Sequence, residues 1–341
     1  MTASDLTKGE QSALTVVSQV FSSFSVAGSL FIILSFSLFP KLRKFSYKLV
    51  LWLSVSDLVN QSTSYFGNPN DNAFECFVQA AGMQFFSVAS FMWTVCIAHV
   101  LRSTVVGKRA DIEDAYPRMH TLVWTAAALS TLVPSWKYGP TGAWCWIEGD
   151  DLTGKILRFA CYYAPLWFAI GYNVYAYYCV IRTLRRVQLL ANSMRADANQ
   201  PKFEMKAVSR LGWYPSILIF THIVGTVNRI QNWLRPQSPV FWLFVSHTAT
   251  SSLLGFLNSI AYGFNRAVRS QWHASLSGFR DRIRHRRTGR DEPFHRLDML
   301  SMHAGAASSA SHDTSHDDKS LNGNDSGASI MAVGARDANG T

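Results

Sequence analysis

Residues 77–104 read FVQAAGMQFFSVASFMWTVCIAHVLRST. Between Phe77 and Leu101 there is no Asp, Glu, Lys or Arg. A bilayer core of about 30 Å is crossed by about 20 mostly apolar residues in a helix, so this run is long enough to span one. Six further runs of the same kind lie at roughly 13–39, 47–66, 117–136, 157–183, 209–233 and 239–264. The second is the weakest, because Asp57, Asn60 and Gln61 interrupt it. It counts because Lys44 and Lys48 flank one end and Gly67-Asn68-Pro69-Asn70 closes the other. The expected fold is an all-α membrane protein: a seven-transmembrane helix bundle at 13–264. Residues 1–12 are expected outside the cell, 265–287 as a cytosolic amphipathic helix, and 288–341 as a disordered cytosolic tail.

Short connections set the orientation, since cytosolic loops carry excess Lys and Arg. Lys41, Arg43, Lys44 and Lys48 mark the first connection, Arg102, Lys108, Arg109 and Arg118 the third, and Arg182, Arg185, Arg186, Arg195, Lys202 and Lys206 the fifth. The alternate connections hold Lys137 and Lys155, then Arg235, with none between Gly67 and Glu75. The odd connections are therefore expected in the cytosol, with the N-terminus outside, in a multi-pass plasma-membrane protein. The net charge of +10 falls in these clusters and after the last span, which argues against a nucleic-acid partner. Mean hydropathy is only +0.05 because the last third is polar and dilutes the spans. The first run, Ala13 to Phe39, is too long for a cleavable signal and is followed by Pro40-Lys41-Leu42-Arg43-Lys44.

After Asn265, Val268, Trp272, Leu276, Phe279 and Ile283 recur at helical spacing among Arg269, Arg280, Arg282, Arg284, Arg286 and Arg287. That pattern suits a helix lying on anionic inner-leaflet lipid. Ser308, Ser309, Ser311, Thr314, Ser315 and Ser320 in the tail offer sites to kinases, with arrestin-like proteins as candidate readers.

Five cysteines are too few for a disulfide framework. Cys76 and Cys145 both fall on the outer side, where an oxidising medium favours a bond that would draw Trp144-Cys145-Trp146 over the bundle; two free thiols is the alternative. Charged groups in the membrane are costly and so are functional candidates. Asp57 needs a partner across the bundle, for which Asn258 is the candidate, and the pair is either a switch or a static hydrogen bond. Pro215, flanked by Gly212 and followed by Gly225, loosens the sixth span, and Tyr262 joins Asp57, Pro215 and Asn258 as a switch candidate. Candidates for an outward ligand cavity are Gln79, Met83, Tyr162, Tyr163, Trp167, His222, Asn228, Arg229, Trp242 and His247. Arg229 would anchor an anion, with Lys155 and Arg158 nearby; the plainer reading has it snorkelling to the interface.

Four function classes compete. An intramembrane zinc hydrolase would draw on Asp57, His99, His222 and His247, but His99 and His247 differ in depth by roughly 20 Å at 1.5 Å per residue. A retinal protein needs a lysine in the last span, and 239–264 has none. A transporter or channel is disfavoured by the missing internal repeat. A receptor signalling to a G protein is the preferred reading, with a transporter or channel or an intramembrane zinc hydrolase as the alternative; no cofactor, no metal and no enzymatic activity are expected.

The stretches Tyr47-Lys48-Leu49-Val50-Leu51-Trp52-Leu53-Ser54-Val55-Ser56-Asp57-Leu58, Gln84-Phe85-Phe86-Ser87-Val88-Ala89-Ser90-Phe91-Met92-Trp93-Thr94, Arg210-Leu211-Gly212-Trp213-Tyr214-Pro215, Asn228-Arg229-Ile230 and Ser252-Leu253-Leu254-Gly255-Phe256-Leu257-Asn258-Ser259-Ile260-Ala261-Tyr262-Gly263-Phe264-Asn265 carry a resemblance. Over roughly 15–275 the chain resembles the cyclic-AMP-receptor-like G-protein-coupled receptors, and its last span also looks like that of secretin-like receptors. The resemblance implies a receptor fold, an outer ligand cavity and coupling through the second and third cytosolic loops plus the sixth span; on that basis a small anionic ligand such as cyclic AMP is expected outside and a heterotrimeric G protein in a groove lined by Arg102, Arg185, Arg186, Lys206 and Arg210 inside. A Cys76–Cys145 bridge fits it. The chain departs from the rhodopsin-like pattern: His99 to Arg102 stand where Asp-Arg-Tyr would, and Asn-Pro-x-x-Tyr is absent from the last span.

Overall fold

In the computed structural model the described residues are 7–69, 72–107, 111–193, 213–234, 240–263 and 265–288. Helices dominate: α1 (Lys8–Leu38), α2 (Phe45–Ser62), α3 (Ala73–Val105), α4 (Tyr116–Leu132), a short α5 (Leu152–Arg158), α6 (Ala164–Ser193), α7 (Trp213–Leu234), α8 (Phe241–Ser252), α9 (Leu254–Gly263) and α10 (Arg266–Thr288). Two short strands, β1 (Tyr138–Pro140) and β2 (Cys145–Ile147), pair antiparallel with Tyr138 opposite Ile147 and Pro140 opposite Cys145. Two compact units divide the chain, Met1–Ser277 and Gly278–Thr341. In the second, Gly278–Thr288 are helical and Phe279 and Ile283 are exposed. The expected tail lies outside the described residues.

Local chemistry sets the helix starts. Thr7 caps α1 in a capping box with Glu10, its own N–H donating to Glu10 Oε2 at 2.9 Å. Asn72 Oδ1 accepts from the N–H groups of Phe74 and Glu75 and opens α3. Pro134 stops α4 because its ring cannot continue the ladder. Just ahead of Pro165, the turn Phe159–Tyr163 is π-helical and joins α5 to α6.

The bundle is apolar outside and keeps its polar groups inside, among an apolar core. On α1, Val16, Val20, Phe24, Leu30, Leu34 and Leu38 are exposed, while Ser22, Ser25, Ser29 and Ser35 on the opposite face are fully buried. Asp57, Gln84, Asn173, Thr221 and Asn228 are also 0% exposed. A water-soluble bundle would reverse this; in lipid, inward hydroxyls and amides bridge helices and outward side chains need only be apolar. Taken singly, α1 and α3 are long and apolar enough to cross a membrane among the described residues. Of the others, α4, α5, α8 and α9 have 17, 7, 12 and 10 residues and are too short to do so singly.

Segment by segment, the architecture is the expected seven-span bundle; α1 begins at Lys8 instead of 13 and α3 at Ala73 instead of 77, and three further differences stand out. The fifth segment starts at Leu152 instead of 157, capped by Asp151, whose Oδ1 accepts from Gly154 N at 2.8 Å. The seventh is broken at Leu253 into α8 and α9. Ser25 Oγ bridges the break, donating to Ser252 O and accepting from Phe256 N at 3.1 Å. Thirdly, Val268 and Trp272 do not lie free for a lipid surface. Val268 is buried, and Trp272 stacks on Phe31, meets Phe39 edge-on and donates from Nε1 to Ser35 Oγ at 2.9 Å. The predicted start of the sixth span, 209–212, lies outside the described residues.

Candidate functional site: a polar cavity under a pinned hairpin

A cavity of about 160 Å³ opens between the helices at the end that carries the hairpin. Cys76 and Cys145 form a disulfide that holds β2 on α3. Two glutamines one and two turns along α3 add to that hold. Gln79 Oε1 accepts from Cys145 N at 2.8 Å, and its Nε2 donates to the carbonyls of Gly67 and Thr63. Gln84 Oε1 accepts from Trp146 Nε1 at 2.9 Å, and its Nε2 donates to Cys161 O at 3.1 Å. Trp146 in turn meets Tyr162 edge-on at 5.3 Å. Gly142, at φ +110°, makes the turn that a side chain would strain.

Behind the hairpin, Arg158 Nε donates to Ile147 O at 2.6 Å and its guanidinium lies 5.3 Å from the Trp146 ring. A Cβ at Gly149 would fall 2.5 Å from the Arg158 guanidinium carbon, so a side chain there would displace the guanidinium from its place behind the hairpin. At the hairpin base, Lys137 Nζ pairs with Asp151 Oδ2 at 3.0 Å. The Gly154 N–H, and then Lys137, hold the Asp151 carboxyl below its ordinary value, and the bond to Asp151 holds the Lys137 ammonium above its own. Burial pushes the Tyr138 phenol up.

The cavity walls carry hydroxyls, amides and rings but no carboxylate, and Arg229 is the one guanidinium or ammonium among the described lining residues. From α7 come His222, Gly225, Thr226 and Arg229, which share a face at helical spacing. From α8 comes His247, seated so closely that a Cβ at Gly225 would fall 2.6 Å from its ring. Arg229 Nε has no hydrogen-bond partner among the described residues. Beneath the cavity, Asp57 is fully buried and accepts from Ser90 Oγ at 2.6 Å and from Asn258 Nδ2 at 2.7 Å.

Seven of the ten expected cavity residues line it: Gln79, Met83, Tyr162, Tyr163, His222, Arg229 and His247. Gln79 spends its amide on the hairpin. Asn228 is buried behind His247, with Nδ2 at 3.3 Å from His247 Nδ1. Trp167 and Trp242 point away and are 43% and 67% exposed. Helix rotation explains both corrections. Leu166, one turn on from Tyr162, takes the inward place and leaves Trp167 about 100° further round. Trp242 precedes His247 by five residues, about 140° round the helix. Lys155 is exposed and, like Arg158, does not line the cavity.

Trp144 and Trp146, expected over the bundle, line the cavity, and sequence reading missed Thr15, Ser18, Asn60, Ser64, Ser87 and Ser251, which line it too. The available signal was polar residues one turn apart, as in Asn60 and Ser64. His99 does not join His222 and His247: it bonds Tyr172 at 2.8 Å, and no group of three His, Cys, Asp or Glu is placed to hold a metal among the described residues.

At the other end of the bundle, Arg102 lies over the Tyr175 ring at 5.2 Å, and Arg185 and Arg186 are exposed on α6. Lys206 and Arg210 lie outside the described residues, and Pro215 is the third residue of α7 as described. Tyr262 is buried edge-on to Tyr47 at 5.8 Å and Phe31 at 6.3 Å.

Residues 6–277 match the family model described as slime mold cyclic AMP receptor. The chain is 41% identical over 278 residues to a protein of Arabidopsis thaliana named G-protein coupled receptor 1, covering 80% of this chain and 85% of that one. It is 27% identical over 263 residues to cyclic AMP receptor-like protein A of Dictyostelium discoideum, covering 76% and 67%. Among solved structures, squid rhodopsin superposes with a TM-score of 0.62 over 80% of this chain and 87% of that one, at 14% identity, a likeness of fold.

Proposed function

The chain belongs to the slime mold cyclic AMP receptor family, and on that premise we propose that it carries a signal from an extracellular small anion, such as cyclic AMP, to a heterotrimeric G protein. It is a multi-pass membrane protein of the G-protein-coupled receptor class and has the fold of a receptor, not an enzyme. The hairpin end faces outside in this reading. Its disulfide suits an oxidising medium, and the opposite end carries Lys41, Arg43, Lys44, Lys48, Arg185 and Arg186.

One observation carries the ligand class. Among the described lining residues there is no carboxylate, and Arg229 Nε, without a hydrogen-bond partner among the described residues, is a donor whose natural partner is an anionic oxygen. Such a ligand joins α7 to α8 and to the rings under the hairpin. It thereby favours the arrangements of α7 that keep Arg229 over the cavity, and a shift in that population reaches the other end of the same helix. There Arg102, Arg185, Arg186, Lys206 and Arg210 would meet the G protein. Anionic lipid under α10, and kinases and arrestin-like proteins at the tail, belong to the same proposal.

The test is nucleotide exchange on co-expressed G proteins in membranes, driven by cyclic AMP and related anions. Exchange that depends on ligand and is lost in Arg229→Ala, at unchanged surface expression, supports the reading. Ligand-independent exchange, or a response indifferent to Arg229→Ala, removes it.

A further inference from the structure

Two histidines line the cavity, and their ring protons are placed by different neighbours. His222 Nδ1 lies 3.0 Å from Leu218 O. A carbonyl only accepts, so Nδ1 carries the proton and Nε2 is a bare lone pair. Thr221 Oγ1, also 3.0 Å away, agrees, because its own hydrogen goes to Ile217 O or Leu218 O. At His247 the pattern is reversed. Asn228 Nδ2 lies 3.3 Å from Nδ1. An amide nitrogen only donates, so Nδ1 is the acceptor and the proton sits on Nε2. Neither Nε2 has a hydrogen-bond partner among the described residues. Both rings line the same cavity as Arg229, on one corner formed by α7 and α8.

Resting on the reading of this cavity as the ligand site, we propose that Asn228 and the Leu218 carbonyl lock His247 and His222 in opposite tautomers, so that the corner selects an anion bearing a neighbouring O–H or N–H. The anionic oxygen takes hydrogens from Arg229 and from His247 Nε2. The ligand's own O–H or N–H donates to His222 Nε2. A ligand lacking that donor leaves a desolvated lone pair without a partner, which costs about tenfold in affinity. Asn228 does not line the cavity; it is a positioning residue that acts through the His247 ring. The Cδ2–Nε2 edge of His247 is seated against Gly225, where an added Cβ would fall 2.6 and 2.7 Å from those atoms, and this close seat opposes a turn of the ring that would trade Nδ1 for Cδ2 beside Asn228.

The first test needs no ligand. Nitrogen NMR of the full-length, histidine-labelled protein in nanodiscs distinguishes the two neutral tautomers, with His222→Gln and His247→Gln assigning the signals. The expected spectrum has His222 protonated at Nδ1 and His247 at Nε2. Asn228→Asp, which places an acceptor beside His247 Nδ1, moves that ring's proton to Nδ1 and leaves His222 as it was. Two rings in the same tautomer, or a His247 signal indifferent to Asn228→Asp, overturns the proposal. The native spectrum decides even where that variant fails to fold.

The second test is thermal stabilisation by matched probes: mandelate and phenylacetate, 3-hydroxybutyrate and butyrate. A hydroxylated member that stabilises at about one tenth the concentration of its partner, with the difference gone in His222→Phe, supports the ligand class. No preference in any pair overturns it. Neither arm uses a G protein, so the receptor reading and this one fail separately.

Discussion

Two seams hold α2 in the bundle, or hold its neighbours to each other, by opposite means. Between α1 and the broken seventh segment the contact is made of glycine and serine. A Cβ at Gly28 would fall 2.6 Å from Ser259 Oγ, and one at Gly255 would fall 2.6 Å from Ser29 Oγ and 3.0 Å from Ser25 O. Between α2, α3 and α4 the contact is made of rings. Trp93 is fully buried, 4.8 Å from the His120 ring, 6.0 Å from Trp124 and 6.4 Å from Trp52. Trp52 Nε1 donates to Tyr116 Oη and Trp124 Nε1 to His120 Nδ1. In lipid no hydrophobic force drives helices together, so cohesion comes from close backbones or from bulky, well-packed side chains. The first seam is broken by adding atoms and the second by removing them. Asp57 stands between them, bonded to Ser90 on one side and Asn258 on the other.

The largest effect is expected from Trp93→Ala, which empties the centre of the ring seam and costs about 4 kcal/mol. Thermal unfolding of the purified protein would show it, and a loss under about 1 kcal/mol would mean the rings are not load-carrying. Gly255→Val should cost about 3 kcal/mol by forcing α1 and α9 apart. If it is tolerated while Trp93→Ala is not, the small-residue seam is incidental. Asn258→Leu strips one partner from the buried Asp57 carboxylate and should cost about 2 kcal/mol; the same melt, run beside Asp57→Asn, separates loss of the bond from loss of the charge. The smallest effect lies outside both seams. Because the Asp151 carboxyl is held low, its contribution is full above the ordinary carboxylate value of about 4 and fades as pH falls through its lowered value. Melting native protein and Asp151→Asn between pH 6 and pH 3 should therefore bring the two curves together on the acid side.

The seven segments were readable because lipid imposes length, and length survives in composition. Even the second, with Asp57, Asn60 and Gln61, was readable from its flanks. The break at Leu253 was not, since no proline stands there and the hydrogen bonds that permit it come from Ser25, more than two hundred residues earlier. The cavity was readable where a residue type is costly in lipid, as with Arg229, His222 and His247. It was not readable where the residue type is common. Thr15, Ser18, Ser64 and Ser251 look like any helix hydroxyl, and only the rotation of each helix decides which of them face inward. The same rotation put Leu166 in and Trp167 out. Aromatic type alone could not decide that, since rings serve the lipid face as readily as a pocket.

Ser25 has a consequence for synthesis. Its single oxygen occupies both a carbonyl and an amide that the seventh segment leaves open at Leu253. Within hydrocarbon no water stands in for it, and each open group costs several kcal/mol. The last membrane segment to be made therefore reaches its bent form only against the first one, whose Ser25 and Ser29 stay uncovered until it arrives.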